Sequence, residues 1–184
     1  MMPNKDCSIV VRALERSDIG ALEAILRQHV RDLHTHEVVE SEVTAIIDCM
    51  GAIPDSNGHI RHYLVACDHT DIPVGCMAVA CPDQDMLMHF STTENESVEL
   101  LNAFVSKSHF RGEGVGRRLF EAACKYASAH GANYLLVNSG PRYKNSWGFY
   151  DRLCDSDHGF IENKYGPGRH AKTWKKNLPR ISGV

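Results

Sequence analysis

Apolar residues recur along this chain with two periods, near two and near 3.6, and the elements follow from where one period gives way to the other. Ile9 to Leu14 reads as a strand. Ser17 or Asp18 can cap the helix that follows, because a short side-chain oxygen accepts a first-turn N–H. Leu22, Ile25, Leu26, His29, Val30 and Leu33 then form one apolar stripe at helical spacing. Val43, Ile46, Ile47 and Met50 suggest a second short helix, with Gly51 as its stop. The apolar runs His62 to Cys67 and Val74 to Cys81 flank the polar tetrapeptide Asp68-His69-Thr70-Asp71 and predict a hairpin. Pro82-Asp83-Gln84-Asp85 interrupts the pattern, and Thr92 to Ser97 reads as loop. Val98 to Val105 is a further strand.

The second half is clearer. Phe110-Arg111-Gly112-Glu113-Gly114-Val115-Gly116 is a Gly-rich turn. Val115, Leu119, Ala122, Ala123, Tyr126 and Ala127 carry on from it as a helical face, with Glu121 and Lys125 as an i,i+4 pair. Gly131 stands where a left-handed C-terminal cap is wanted. Tyr134 to Val137 is the next strand, so residues 98–139 read strand, turn, helix, strand. A helical crossover implies that the two strands are parallel. Asn145 to Leu153 predicts a short helix, and Phe160-Ile161 and His170 to Leu178 end the sheet. The class is α/β or α+β, a mixed sheet with helices on both faces.

Composition narrows the function. The 184 residues suit a single domain, and 43% hydrophobic with 23% charged residues is ordinary for a globular chain. A net charge of −3 and a pI near 6.4 give no nucleic-acid footprint. No run approaches a membrane span, and the polar opening Met1-Met2-Pro3-Asn4 lacks a signal region. A soluble, cytoplasmic protein is expected. Seven Cys without a CxxC pair suggest reduced thiols. Of eleven His, only His34 and His36 are close neighbours, and no metal is expected.

The Gly-rich turn is the strongest chemical signal. Glycine lets the backbone approach a ligand closely. The first N–H groups of the helix behind it have no internal partner and form a seat for phosphate. Arg111, Arg117 and Arg118 add positive charge. The segment is too short for a P-loop and lacks its Lys, while Arg117 stands where a dinucleotide fingerprint needs glycine.

Arg111-Gly112-Glu113-Gly114-Val115-Gly116 resembles the R/Q-x-x-G-x-G/A signature of the GNAT superfamily of acyl-CoA-dependent N-acyltransferases. The strand Glu99 to Ser106 before it, the strand Tyr134 to Ser139, the pair Phe149-Tyr150 and Gly159-Phe160 strengthen the likeness over residues 98–160. The resemblance implies a mostly antiparallel sheet in which one parallel pair splays apart. It implies acetyl-CoA as co-substrate, its pantetheine arm on the backbone of Phe104, Val105 and Ser106. Its pyrophosphate would lie on the loop from Arg111 through Gly112, Glu113, Gly114, Val115 and Gly116, near Arg117. Asn145 would touch the arm. Asp151 to His158 is longer than the family's usual segment there.

The implied reaction is direct attack of an amine on the thioester. A protonated amine must first lose a proton to a base. Glu99 is the candidate base, with Glu96, Glu94 and His89 as alternatives. Tyr150 matches the family's proton donor to the leaving thiolate, and a backbone N–H near Val105 can stabilise the oxyanion. A non-catalytic CoA-binding regulatory module and a metal-dependent protein are the competing readings. The acceptor amine stays open, and a homodimer is compatible with the sequence without being fixed by it.

Overall fold

The computed structural model describes residues 9–56, 58–107 and 113–179. The elements are β1 (Val10–Ala13), α1 (Ile19–His29), α2 (Glu40–Met50), β2 (His62–Cys67), β3 (Pro73–Ala80), α3 (Gln84–Phe90), β4 (Ser97–Val105), α4 (Val115–Ala129), β5 (Tyr134–Ser139), α5 (Trp147–Leu153), β6 (Ser156–Ile161) and β7 (Ala171–Asn177). Short 3-10 turns, Arg16–Asp18 and Pro141–Ser146, lead into α1 and α5. The seven strands form one mixed sheet in the order β1-β2-β3-β4-β5-β7-β6. The chain clusters into two compact units.

The first unit holds β1, α1, α2, β2, β3 as far as Ala78, β4 from Asn102, and α4 as far as Ala122. β1 pairs antiparallel with β2, Val10 opposite Cys67 and Ala13 opposite Leu64. α1 buries Leu22, Ile25 and Leu26 of the expected stripe but ends at His29, with Val30 buried just beyond it and Leu33 exposed. α2 buries Val43, Ile46, Cys49 and Met50. Two local expectations change. Asp18 occupies the position before α1 without capping it. Its carboxylate instead accepts Arg12 at 2.7 and 3.0 Å and the Glu15 N–H at 2.8 Å. Gly51 follows α2 with φ −74°, and it is Ala52 that takes the left-handed region, at φ 63°.

The second unit contains the rest of β3 and β4, α3, the end of α4, and β5 to β7. β4 and β5 are parallel, as the helical crossover requires, with Ser97 opposite Tyr134 and Leu100 opposite Val137. β5 and β6 both pair antiparallel with β7. The segment Pro82–Asp85, read only as an interruption, starts α3. Asp83 caps it by accepting the Met86 N–H at 2.9 Å. α3 escapes a periodicity search because it is seven residues long; it lays Met86 and Phe90 against Leu136, Tyr134 and Ile161. β6 begins at Ser156, three residues before Gly159, and shifts register between Asp157 and Phe160. Gly131 has φ 85°, the left-handed stop expected after α4. Along α4 itself, Glu121 pairs with Arg117 at 2.9 Å.

Candidate active site

The entry into α4 leaves backbone N–H groups open at its first turn. Gly114 sits at φ 76°, and a Cβ there would meet no atom within 4 Å. The glycine is therefore needed for its backbone angle and not for lack of room. The first bond inside the helix runs from the Arg118 N–H to the Gly114 carbonyl at 3.0 Å. The N–H groups of Val115, Gly116 and Arg117 precede that bond and have no intrahelical acceptor. Glu113 and Arg117 are exposed and Val115 is buried. Arg117 extends along the helix, its Nε donating to Glu121. Arg111 and Gly112 lie outside the described residues.

The end of β4 is held from two sides within the first unit. Asn102 interrupts the strand with φ 48°, and its Oδ1 accepts Arg61 Nη1 at 2.6 Å and the Tyr63 hydroxyl at 2.8 Å. The recorded pairing of β4 with β5 stops at Leu100, two residues earlier. Beyond the bulge, the Ser106 N–H donates to the Val74 carbonyl at 2.8 Å, so it is committed to the β3 side. The Val105 carbonyl accepts His29 Nε2 from α1 at 2.8 Å, and the His29 ring lies 5.5 Å from the ring of Phe104. Gln28 accepts the Lys107 N–H at 2.9 Å. His29 was legible only as one position of an apolar stripe; its polar contact is tertiary.

Glu99 is the central finding in the second unit. The side chain is buried, with 1% of the residue exposed. Its Oε1 accepts the Asn138 Nδ2–H at 2.5 Å and its Oε2 the Asp83 N–H at 3.2 Å. Desolvation, then the nearby charge of Asp83, pushes the carboxyl up from 4.5 to about 7. The Asp83 N–H, Lys164 and Asn138 oppose that rise. Lys164, with 8% of its side chain exposed, pairs with Asp83 at 2.5 Å. A buried carboxyl titrating near neutrality is suited to accept a proton and release it again. The three alternatives are placed differently. Glu94 and Glu96 are exposed, and Glu96 accepts the Thr93 hydroxyl at 3.0 Å. His89 Nε2 lies 3.0 Å from both the His158 carbonyl and the Thr173 hydroxyl.

Tyr150, on α5, is buried at 6% exposure, its ring 5.2 Å from those of Phe149 and Trp174. Burial raises its phenol above the ordinary value, so the hydroxyl keeps its proton at neutral pH. Tyr165, from the connection between β6 and β7, donates its hydroxyl to Asn138 Oδ1. Asn145 is exposed in the turn before α5. Asn138, Asp83, Lys164 and Tyr165 carry no motif, and no sequence signal marks them. Also in this unit, His59, Cys81 and Glu94 bring one ligand atom each within 4.8 Å of one another. Their chemistry suits zinc. Glu94 is exposed, and among the described residues no fourth such donor joins them.

Among the described residues no helix is long and apolar enough to cross a membrane. None of the described cysteines, Cys49, Cys67, Cys76, Cys81, Cys124 and Cys154, is in a disulfide.

Known proteins share this arrangement. A GNAT-family protein from Desulfovibrio desulfuricans superposes with a TM-score of 0.70 at 15% identity, covering 94% of this chain and 100% of that one. A Salmonella typhimurium protein determined with its cofactor acetyl-CoA gives 0.62 at 15% identity, covering 96% and 98%. An aminoglycoside 6'-N-acetyltransferase complexed with coenzyme A gives 0.64 at 16% identity, covering 94% and 99%. At these identities the likeness is one of fold. No curated protein sequence matches this chain. The model of the acetyltransferase (GNAT) family matches residues 23–155, which include β4, the glycine-rich segment and α4 as well as Glu99 and Tyr150. The chain belongs to the GNAT family of acetyltransferases and is an enzyme that moves the acetyl group of acetyl-CoA.

Proposed function

We propose that this enzyme, acting as one domain, acetylates a primary amine with Glu99 as general base and Tyr150 as general acid. The observation that carries the reading is the buried Glu99 carboxyl, raised to about 7 and held by two donors. The cofactor would lie along the backbone of Phe104, Val105 and Ser106, with its pyrophosphate on the N–H groups from Arg111 to Arg117 and Asn145 beside its arm. Glu99, directly or through a water, takes a proton from the ammonium form of the acceptor. The neutral nitrogen attacks the thioester carbon, and the Val105 N–H supports the negative charge on its oxygen. The C–S bond breaks, the thiolate takes a proton from Tyr150, the acetylated nitrogen gives its surplus proton to solvent to leave the neutral amide, and solvent returns a proton to the phenolate. The products are an amide and free CoA thiol. No step calls on a metal ion. The cytoplasm is the proposed location, in line with the absence of disulfides among the described residues.

The test is thiol release from acetyl-CoA across a panel of aminoglycosides, polyamines, amino acids and peptide amines. Saturable release with at least one amine is expected. Glu99→Gln lowers kcat/KM about 100-fold or more, and Tyr150→Phe lowers kcat while leaving the affinity for acetyl-CoA unchanged. Full activity in Glu99→Gln removes the base. Transfer to no amine in the panel, with CoA still bound, overturns the acceptor class.

A further inference from the structure

We infer that Tyr165 is a positioning residue for Glu99, acting through the side-chain amide of Asn138. The inference rests on the reading of Glu99 as base, and its first measurement is independent of that reading. The Tyr165 hydroxyl donates to Asn138 Oδ1, and Asn138 Nδ2 donates to Glu99 Oε1. The amide has one acceptor end and one donor end. A donor bound at Oδ1 directs the NH2 toward the carboxylate, the orientation that favours ionised Glu99. Turned over, the amide would present its oxygen to Glu99 and would suit only the protonated acid. Donating as it does, the Tyr165 hydroxyl supports the amide orientation that matches the ionised base.

The loop that carries Tyr165 is fixed by its own bonds. The Tyr165 N–H donates to the Arg169 carbonyl at 3.1 Å and the Gly166 N–H to the Asn163 carbonyl at 2.9 Å. The Gly168 N–H donates to Asn163 Oδ1 at 2.8 Å. Asn163, Gly166 and Gly168 all have positive φ. The Tyr165 ring packs against Gly140, where an added Cβ would come 2.8 Å from it. Lys164, the preceding residue, reaches Asp83 at 2.5 Å and Asp85 at 3.5 Å, and the Asp83 N–H is the second donor to Glu99. One loop therefore governs both donors to the carboxylate. The groups that face Glu99 are Asp83 before α3, Asn138 on β5, and Lys164 and Tyr165 on this loop.

The experiment follows the Glu99 carboxyl directly, by 13C NMR of protein labelled at glutamate Cδ, with Glu99→Gln assigning the resonance. It is read beside the pH profile of kcat/KM. In Tyr165→Phe the apparent pKa of Glu99 is expected to rise by about half a unit to one unit, because the charged form loses an oriented donor. The acidic limb of the rate profile is expected to move up by the same amount. Gly140→Ala, which displaces the ring without removing the hydroxyl, is expected to shift it in the same direction. An unmoved Glu99 resonance in Tyr165→Phe overturns the inference. A resonance that moves while the rate profile stays in place supports the positioning role and overturns Glu99 as base.

Discussion

A glutamate at an exposed strand position is ionised throughout the neutral range; Glu99, at 1% exposure, titrates near 7. That difference has a cost for the fold with a definite sign. The native state holds the proton up to about 7 while the ordinary value is 4.5. Between these limits the unfolded chain binds fewer protons, so stability falls as pH rises. The contribution is complete below about 4.5 and lost above about 7, and amounts to about 3 kcal/mol. Glu99→Gln should therefore flatten the decline in urea-unfolding free energy over that window and leave the variant more stable than the parent at pH 8. A parallel decline in both proteins would show that Glu99 is not the titrating group. Asp18 is the contrast. It is equally buried, but its bond to Arg12 holds its carboxyl below the ordinary range. In sequence both are acids beside apolar residues; the partner decides the direction.

At the scale of elements, local chemistry explains most of the outlines. α1, α2, α4, β2 and β5 lie where period and turn residues put them, since each buries a stripe or face repeated in the sequence. α3 was hidden because one and a half apolar turns cannot be told from a loop by spacing. The bulge in β4 was hidden too: Asn102 reads as one polar residue in a strand, and its left-handed angle depends on Arg61 and Tyr63 arriving from β2 and the segment before it. Gly75 shows the same dependence. It sits in β3 where a Cβ would come 2.8 Å from the Phe104 carbonyl and 3.3 Å from Leu119. The contact is with backbone, so relief requires β4 to shift. Gly75→Ala should cost about 1–3 kcal/mol by overpacking, read as a lower denaturation midpoint, and should weaken acetyl-CoA binding because the displaced segment is the proposed cradle of the pantetheine arm. A variant as stable as the parent would mean that β3 and β4 yield more readily than close packing allows.

For the whole molecule, the expectation is that the cofactor completes the fold. A ligand that binds only the native state stabilises it by about 2.7 kcal/mol at a hundredfold excess over its Kd. Acetyl-CoA should raise Tm in a concentration-dependent way, and free phosphate far less, since it meets only the helix N-terminus. No shift at saturating acetyl-CoA would contradict the proposed cradle. The amino-acid sequence by itself determined the class of fold, the parallel crossover and the glycine-led entry into α4. These depend on residues adjacent in the chain: a helical period, a glycine at the one angle that needs it, N–H groups left open by helix geometry. Only the tertiary structure decided which of the candidate groups is a buried carboxyl with a raised pKa. As residue types Glu94, Glu96 and Glu99 are identical, and His89 is a fourth group able to take a proton. Burial, together with donors from Asp83 and Asn138 far away in sequence, sets Glu99 apart, because desolvation and oriented hydrogen bonds exist only once the chain has closed around them.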